Sequence, residues 1–173
     1  TAQFLFPVAN TRITSDFGTR VHPVTQQTDF HTGLDLAATL NQNVRTVNGG
    51  VVVQAGVRGL LGNSVEVADA KTRVSTIYGH LNGVAVSVGS TVKRGQVIGY
   101  AGSTGRSTGV HVHFTVKKNG AIADPMPFLN GIASNGTWIS VDTAADTARA
   151  APRKPINKIA KAKEAARLAK EKL

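Results

Sequence analysis

From residue 44 to residue 116 the chain is a succession of short β-forming runs cut by turn residues. The runs lie at 44–47, 50–55, 64–68, 74–78, 84–88, 97–101 and 110–116, with Gly, Asn or Lys between them. Stretches of this length, rich in Val, Ile, Thr and Tyr and bounded by turn signals, read as strands. Connections this short join antiparallel neighbours, because a parallel crossover needs a dozen residues or more. No helical pattern of convincing length occurs before residue 130. The expected fold is therefore all-β: a mostly antiparallel β-sandwich, followed by a helical tail.

The last of these runs carries the chemistry. In Gly109-Val110-His111-Val112-His113-Phe114 two histidines stand one residue apart. On a strand, side chains at i and i+2 share a face. His111 and His113 then project together, and Val112 and Phe114 turn the other way into a core. A second cluster is His31-Thr32-Gly33-Leu34-Asp35. A helix could put its two ends on one face, but Thr32 and Gly33 are poor helix formers, so a strand or turn is expected to bring His31 and Asp35 to one ion. With His113 they make two imidazoles and a carboxylate, a catalytic-type zinc set that leaves a fourth position for water. A third cluster, Tyr78-Gly79-His80-Leu81, ends the 74–78 run, so Tyr78 and His80 are expected to share a face. His80 and His111 are surplus to the ligand set and suit the roles of general base and transition-state stabiliser. The fifth histidine, His22, precedes a proline and reads as structural or substrate-facing, with the structural role favoured.

Two glycine-rich loops, 58–63 and 102–109, flank these clusters. No helix follows either, which argues against a phosphate cradle. They read as flexible walls around a groove.

Charge divides the chain. Residues 149–173 hold nine Lys/Arg and two Glu, a net +7, whereas residues 1–148 hold eleven and eight, a net +3. The expected organisation is a domain over 1–130, a linker over 131–155 rich in Ala, Thr, Gly and Asn, and a basic helical tail over 156–173. The tail stripe of Ile159, Ala162, Ala166, Ala169 and Leu173 is too small to hold a membrane alone. No apolar run has the length of a membrane span, and no signal peptide stands at Thr1. The absence of cysteine excludes disulfides and thiolate zinc sites.

The motifs, taken in order, resemble the lysostaphin-like zinc endopeptidases of bacterial peptidoglycan, the LytM-type domain. The resemblance runs from about Phe6 to Leu129. It rests on Ser15-Asp16-Phe17-Gly18-Thr19-Arg20 with His22-Pro23, on the His31 cluster, on Gly49-Gly50-Val51-Val52, and on Tyr78-Gly79-His80-Leu81. It continues through Gly95-Gln96-Val97-Ile98-Gly99 and Ser103-Thr104-Gly105 into the His-x-His strand. It implies one zinc held by His31, Asp35 and His113, with His80 and His111 as catalytic histidines. It further implies a β-sandwich with a groove formed by loops, cleaving peptide cross-links or cross-bridges of peptidoglycan. The implied setting is extracytoplasmic (secreted, periplasm or cell wall) or a phage virion. Many relatives have proline where Val110 stands and glutamate where Thr115 stands.

Three readings compete with a hydrolase. A non-catalytic wall adaptor or activator on the same fold typically lacks zinc ligands, and here none is missing. A phosphocarrier using a histidine pair would need neither Asp35 nor four clustered histidines. Nucleic-acid binding finds few aromatics and no basic stripe in the β region. The basic tail points instead to anionic wall polymers or a protein partner.

Overall fold

The computed structural model describes residues 4–21, 25–134 and 137–140. His22, the 141–155 part of the expected linker and the expected tail helix lie outside the described residues. Fifteen strands follow in order: β1 Phe4–Leu5, β2 Ile13–Ser15, β3 Gly18–Val21, β4 Thr28–His31, β5 Leu34–Ala37, β6 Asn43–Arg45, β7 Gly50–Val57 and β8 Asn63–Asp69. They continue with β9 Val74–Val84, β10 Thr91–Val92, β11 Val97–Ala101, β12 His111–Lys118, β13 Ala121–Ala123, β14 Leu129–Ser134 and β15 Thr137–Ser140. Two single 3-10 turns, Gly59–Leu61 and Met126–Phe128, are the only helical segments among the described residues. The all-β expectation is met. The expected strand at 84–88 is absent apart from its first residue. Within the stretch expected as a linker, residues 131–134 and 137–140 are strand residues, since β14 and β15 pair antiparallel there.

Ten strands form one connected sheet system, with the path β10-β7-β8-β9-β12-β5-β2. Every pairing in it is antiparallel; β1 with β14 is the parallel exception. The long strand β9 is the pivot. Its residues 74–79 pair with β12, and its residues 81–84 pair with β11. The switch falls at His80, which has φ +60°. Across β8 the register also shifts there, because Val65 opposes Tyr78 while Asn63 opposes Leu81. Two residues of β8 thus span three of β9, a bulge that turns the strand.

One face of this system is apolar. Leu34, Leu36, Val52, Val65, Val67, Tyr78, Leu81, Ile98, Val112, Phe114 and Val116 form a single buried cluster. The period-2 alternation of β12 supplies Val112, Phe114 and Val116 to it, each with no exposed surface. The opposite faces of β12 and β9 carry the histidines.

Candidate metal centre and cleft

His113 lies directly opposite Asp35 in the β12–β5 ladder and opposite Gly79 in the β12–β9 ladder. His31 is the last residue of β4. The chain from His31 to Asp35 is a strand end, a two-residue link and a new strand, with no helix. Gly33 makes this course possible: a Cβ there would overlap the Phe114 carbonyl and come within 2.8 Å of Thr115 Oγ1. Backbone pairing thus carries His31, Asp35 and His113 to one point.

Their ligand atoms form a tight triangle. His113 Nδ1 is 3.0 Å from Asp35 Oδ1, His31 Nε2 is 3.2 Å from the same oxygen, and the two nitrogens are 3.2 Å apart. Zinc–ligand bonds near 2.0–2.1 Å at tetrahedral angles place donor atoms about 3.3 Å apart, so the triangle fits a zinc ion. The outward nitrogens support the same reading. His31 Nδ1 is 2.7 Å from the carbonyl of Asp16, and a carbonyl only accepts, so this nitrogen bears the proton. His31 Nε2 therefore presents a lone pair in the neutral ring. His113 Nε2 is 3.0 Å from Thr115 Oγ1, leaving Nδ1 for the centre. Ligand atoms that converge this closely, each ring having a partner on its other nitrogen to take the proton, are the donor set of a cation. Together they form a possible metal site, buried except for a partly exposed Asp35.

Electrostatics agree. Burial works against the charge of Asp35, but hydrogen bonds from His113 and His31 outweigh it and hold the carboxyl far below the usual carboxylate range. The same bond to Asp35 raises the pKa of His31 against the opposing effect of burial. A site that stabilises an extra proton between a carboxylate and imidazoles has the negative potential that a divalent cation would occupy.

His80 and His111 flank this triangle. Their ring centroids lie 4.7 Å apart with the planes tilted by 50°, and His80 lies 6.0 Å from the ring of His113. Each is held through Nδ1 by a backbone carbonyl: His80 by Thr104 at 2.8 Å, His111 by Gly109 at 2.9 Å. In both rings Nε2 is the other nitrogen, and His111 Nε2 stands 3.6 Å from Asp35 Oδ1. Burial lowers the pKa of His80, with the Thr104 carbonyl partly opposing it, so the ring is neutral at neutral pH.

Two expectations need correction. Tyr78 and His80 do not share a face. Tyr78 opposes Phe114 and is fully buried beside it, with ring centroids 5.4 Å apart. Its hydroxyl accepts from the backbone N–H of Val47 at 2.8 Å and bonds Thr76 at 2.9 Å. The bulge at His80, with its left-handed φ, breaks the alternation and turns the imidazole to the site. The glycine loops, in turn, are clasped rather than flexible. Arg106 N–H donates to the Leu60 carbonyl, and Asn63 N–H to Thr104 Oγ1. Gly62 and Gly105, at φ +62° and +72°, lie back to back, and a Cβ on Gly62 would come within 2.6 Å of Thr104. The Thr104 hydroxyl donates to the Leu81 carbonyl at 2.6 Å, so one residue braces both sides of the bend that carries His80.

Composition and local period gave no warning of Thr104, Ser107 or the Asp16 carbonyl. Ser107 Oγ is 3.2 Å from His111 Nδ1. The signal available was only the place of Asp16 and Thr104 in the quoted motifs; Ser107 lies between two of them, in the 102–109 loop. Around the histidines opens a cleft of about 860 Å³. The 58–63 and 102–109 loops and the β3–β4 hairpin line it, with Ile77 and the face of β12 beneath.

A mostly antiparallel β domain with a two-imidazole, one-carboxylate site and two further histidines in an open cleft has the make-up of a metallopeptidase. The chain matches Peptidase family M23 over residues 29–125 and belongs to that family. This agrees with the resemblance carried by the motifs. The chain is 42% identical over 120 residues to the DD-carboxypeptidase/endopeptidase Mpg of Neisseria meningitidis serogroup B, covering 69% of this chain and 27% of that protein. It is 38% identical over 114 residues to the glycyl-glycine endopeptidase ALE-1 of Staphylococcus capitis, covering 62% of this chain and 32% of that one. It also superposes on a zinc-containing peptidase from Vibrio cholerae with a TM-score of 0.67 and 36% identity, over 72% of this chain and 40% of that chain. The chain thus spans about a quarter to a third of the length of these curated relatives. No described helix is long and apolar enough to cross a membrane.

Proposed function

We propose that the chain is a zinc-dependent endopeptidase that hydrolyses peptide cross-links or cross-bridges of bacterial peptidoglycan. His31, Asp35 and His113 hold the metal, and His80 and His111 act on the reaction. The observation that carries the reading is the triangle of three acceptor atoms 3.0–3.2 Å apart beside two imidazoles with backbone-anchored Nδ1 atoms. Relatives named as a DD-carboxypeptidase/endopeptidase and as a glycyl-glycine endopeptidase support the substrate class.

When bound at this triangle, zinc lowers the pKa of a water and polarises the scissile carbonyl. The cleft lays an extended peptide across β12 with that carbonyl between His80 and His111. His80, neutral through burial and donating its Nδ1 proton to Thr104, accepts the proton of the attacking water at Nε2. His111 faces the same carbonyl and steadies its oxygen as negative charge develops there, a role that requires a proton on Nε2 besides the one Nδ1 gives to Gly109. Thr115 and the Asp16 carbonyl keep the ligand nitrogens aimed inward. A non-catalytic adaptor on this fold would have no use for a complete ligand set with two anchored histidines.

The domain of residues 1–130 carries this chemistry, and the basic tail of 156–173 adds attraction to anionic wall polymers or a protein partner. The setting is extracytoplasmic or on a phage virion, where peptidoglycan is reached.

The test is elemental analysis of His113→Ala beside wild type. The variant loses zinc and peptidoglycan cleavage together, and full zinc occupancy in it sinks the ligand assignment. Mass spectrometry of fragments released from peptidoglycans of known cross-bridge reads the scissile bond, and intact muropeptides throughout would reject the endopeptidase.

A further inference from the structure

The cleft continues past the metal site along the open face of β12. His113, Thr115 and Lys117 share that face, and all three line the cleft. At about 3.4 Å per strand residue, Lys117 lies about 14 Å from His113, the reach of about four residues of extended peptide. Beside it, Ser75 opposes Lys117, Ile77 opposes Thr115, and Glu66 opposes Ile77 across β9 and β8. Glu66 binds Arg58 at 2.7 Å and Ser75 at 2.8 Å, with Lys117 Nζ at 3.8 Å.

Two cations therefore share one carboxylate. Burial opposes the charge of Glu66, but Arg58 and Ser75 bond it and keep it ionised. Its side chain is only 12% exposed, and it does not line the cleft, whereas Arg58 and Lys117 both do. A peptide in the cleft meets the cations and not their partner. Lys117, at 3.8 Å, lies beyond hydrogen-bond reach of Glu66 and has donors free to turn toward a ligand. Arg106 lines the same cleft from the 102–109 loop; it is exposed and makes no ion pair among the described residues. The acidic groups lining the cleft are Asp29, paired with Arg20, and Asp35, committed to the metal site. The far end of the cleft carries surplus positive charge on a rigid floor.

We propose that Lys117 and Arg58 form a carboxylate-recognising subsite, with Arg106 adding positive charge to the same cleft. It selects peptides bearing a free carboxylate about four residues from the scissile bond over otherwise identical neutral ones. The preferred substrate is thus an anionic stem peptide rather than an amidated or oligoglycine segment. This rests on the endopeptidase reading above. A fixed guanidinium and an ammonium aimed at one carboxylate discriminate charge well in a partly walled groove and weakly in open water.

The experiment uses the zinc-loaded 173-residue chain and two synthetic cross-linked peptides that differ only in a carboxylate or carboxamide at that distance. Wild type prefers the carboxylate peptide by about tenfold in kcat/KM, and the preference shrinks with added salt. In Lys117→Gln/Arg106→Gln the ratio between the two peptides falls toward one. Binding of the same peptides, measured by calorimetry, follows the same pattern. Equal kcat/KM and equal binding of the two peptides by wild type overturn the subsite, as does a preference that survives the double variant. Binding preference without cleavage of either peptide leaves the subsite standing and counts against the endopeptidase reading instead.

Discussion

Replacing Thr115 with Val removes one hydroxyl from beneath the metal site and keeps the β-branched shape that β12 requires. Thr115 is 4% exposed, and its Oγ1 lies 3.0 Å from His113 Nε2. The effect depends on the state of the metal. Without metal, His113 can carry its single proton on Nδ1 and donate it to Asp35 at 3.0 Å. Nε2 is then a bare acceptor, to which the Thr115 hydroxyl can donate. With zinc on Nδ1 the proton must sit on Nε2, and that N–H is buried with Thr115 as its acceptor. Valine therefore leaves a buried donor unpaired in the loaded state and a neutral acceptor, the less costly of the two, in the metal-free state. Orphaning a buried donor costs about 1–2 kcal/mol. At about 1.4 kcal/mol per factor of ten, zinc affinity falls about 5- to 30-fold. Melting of the metal-free protein changes less than melting of the loaded form. The assay is competition for zinc against a chelator of known affinity, with Thr115→Ser expected to restore binding. If Thr115→Val folds normally and holds zinc within about twofold of wild type, the hydroxyl does not set the orientation of His113.

His80→Ala and His111→Ala keep their zinc by elemental analysis yet lose about 10²-fold or more in rate; loss of zinc from either would exchange the ligand and catalyst labels. Burial lowers the pKa of His80 below its usual 6.5, so the neutral form persists below that pH. The acid limb of the rate profile therefore falls under pH 6.5. The folding stability tied to this group is full above that value and lost as pH falls through the lowered pKa; a rate already halved at pH 7 would contradict the assignment. Gly62→Ala forces a Cβ toward Thr104 at φ +62° and pushes the two loops apart. It should lower thermal stability by about 1–2 kcal/mol and rate with it through the Thr104–His80 bond; an unchanged melting temperature would show that the clasp yields freely. Truncation after Ala148 removes a net charge of +7. It should keep turnover of a small soluble peptide while weakening binding to whole walls, a difference that fades at high salt; lost peptide turnover would make the tail part of the fold.

The alternation of β12 was legible from sequence because it is local: a period of two in Val110 to Val116 decides which residues face the core and which face the site. The cluster His31, Asp35 and His113 was legible as well, because so few residue types can ligate a metal in a chain without cysteine. The short β runs likewise set the fold class. What only the tertiary structure decided depends on which strand meets which. His80 turns to the site because β9 changes partner from β12 to β11 across a left-handed bulge, and no periodicity in 74–84 marks the place. Tyr78 faces the core because the regular β9–β12 pairing sets it opposite Phe114, before the bulge is reached. The glycines of the two loops read as freedom in sequence and act as close approach in space, since the contact that demands them joins residues about forty positions apart. Thr115 takes a polar role beside His113 because the pleat aligns i and i+2, whatever the residue type. Arg58, Glu66 and Lys117 meet only because three strands lie side by side. Local sequence sets the face of each side chain; long-range pairing decides what that face looks at.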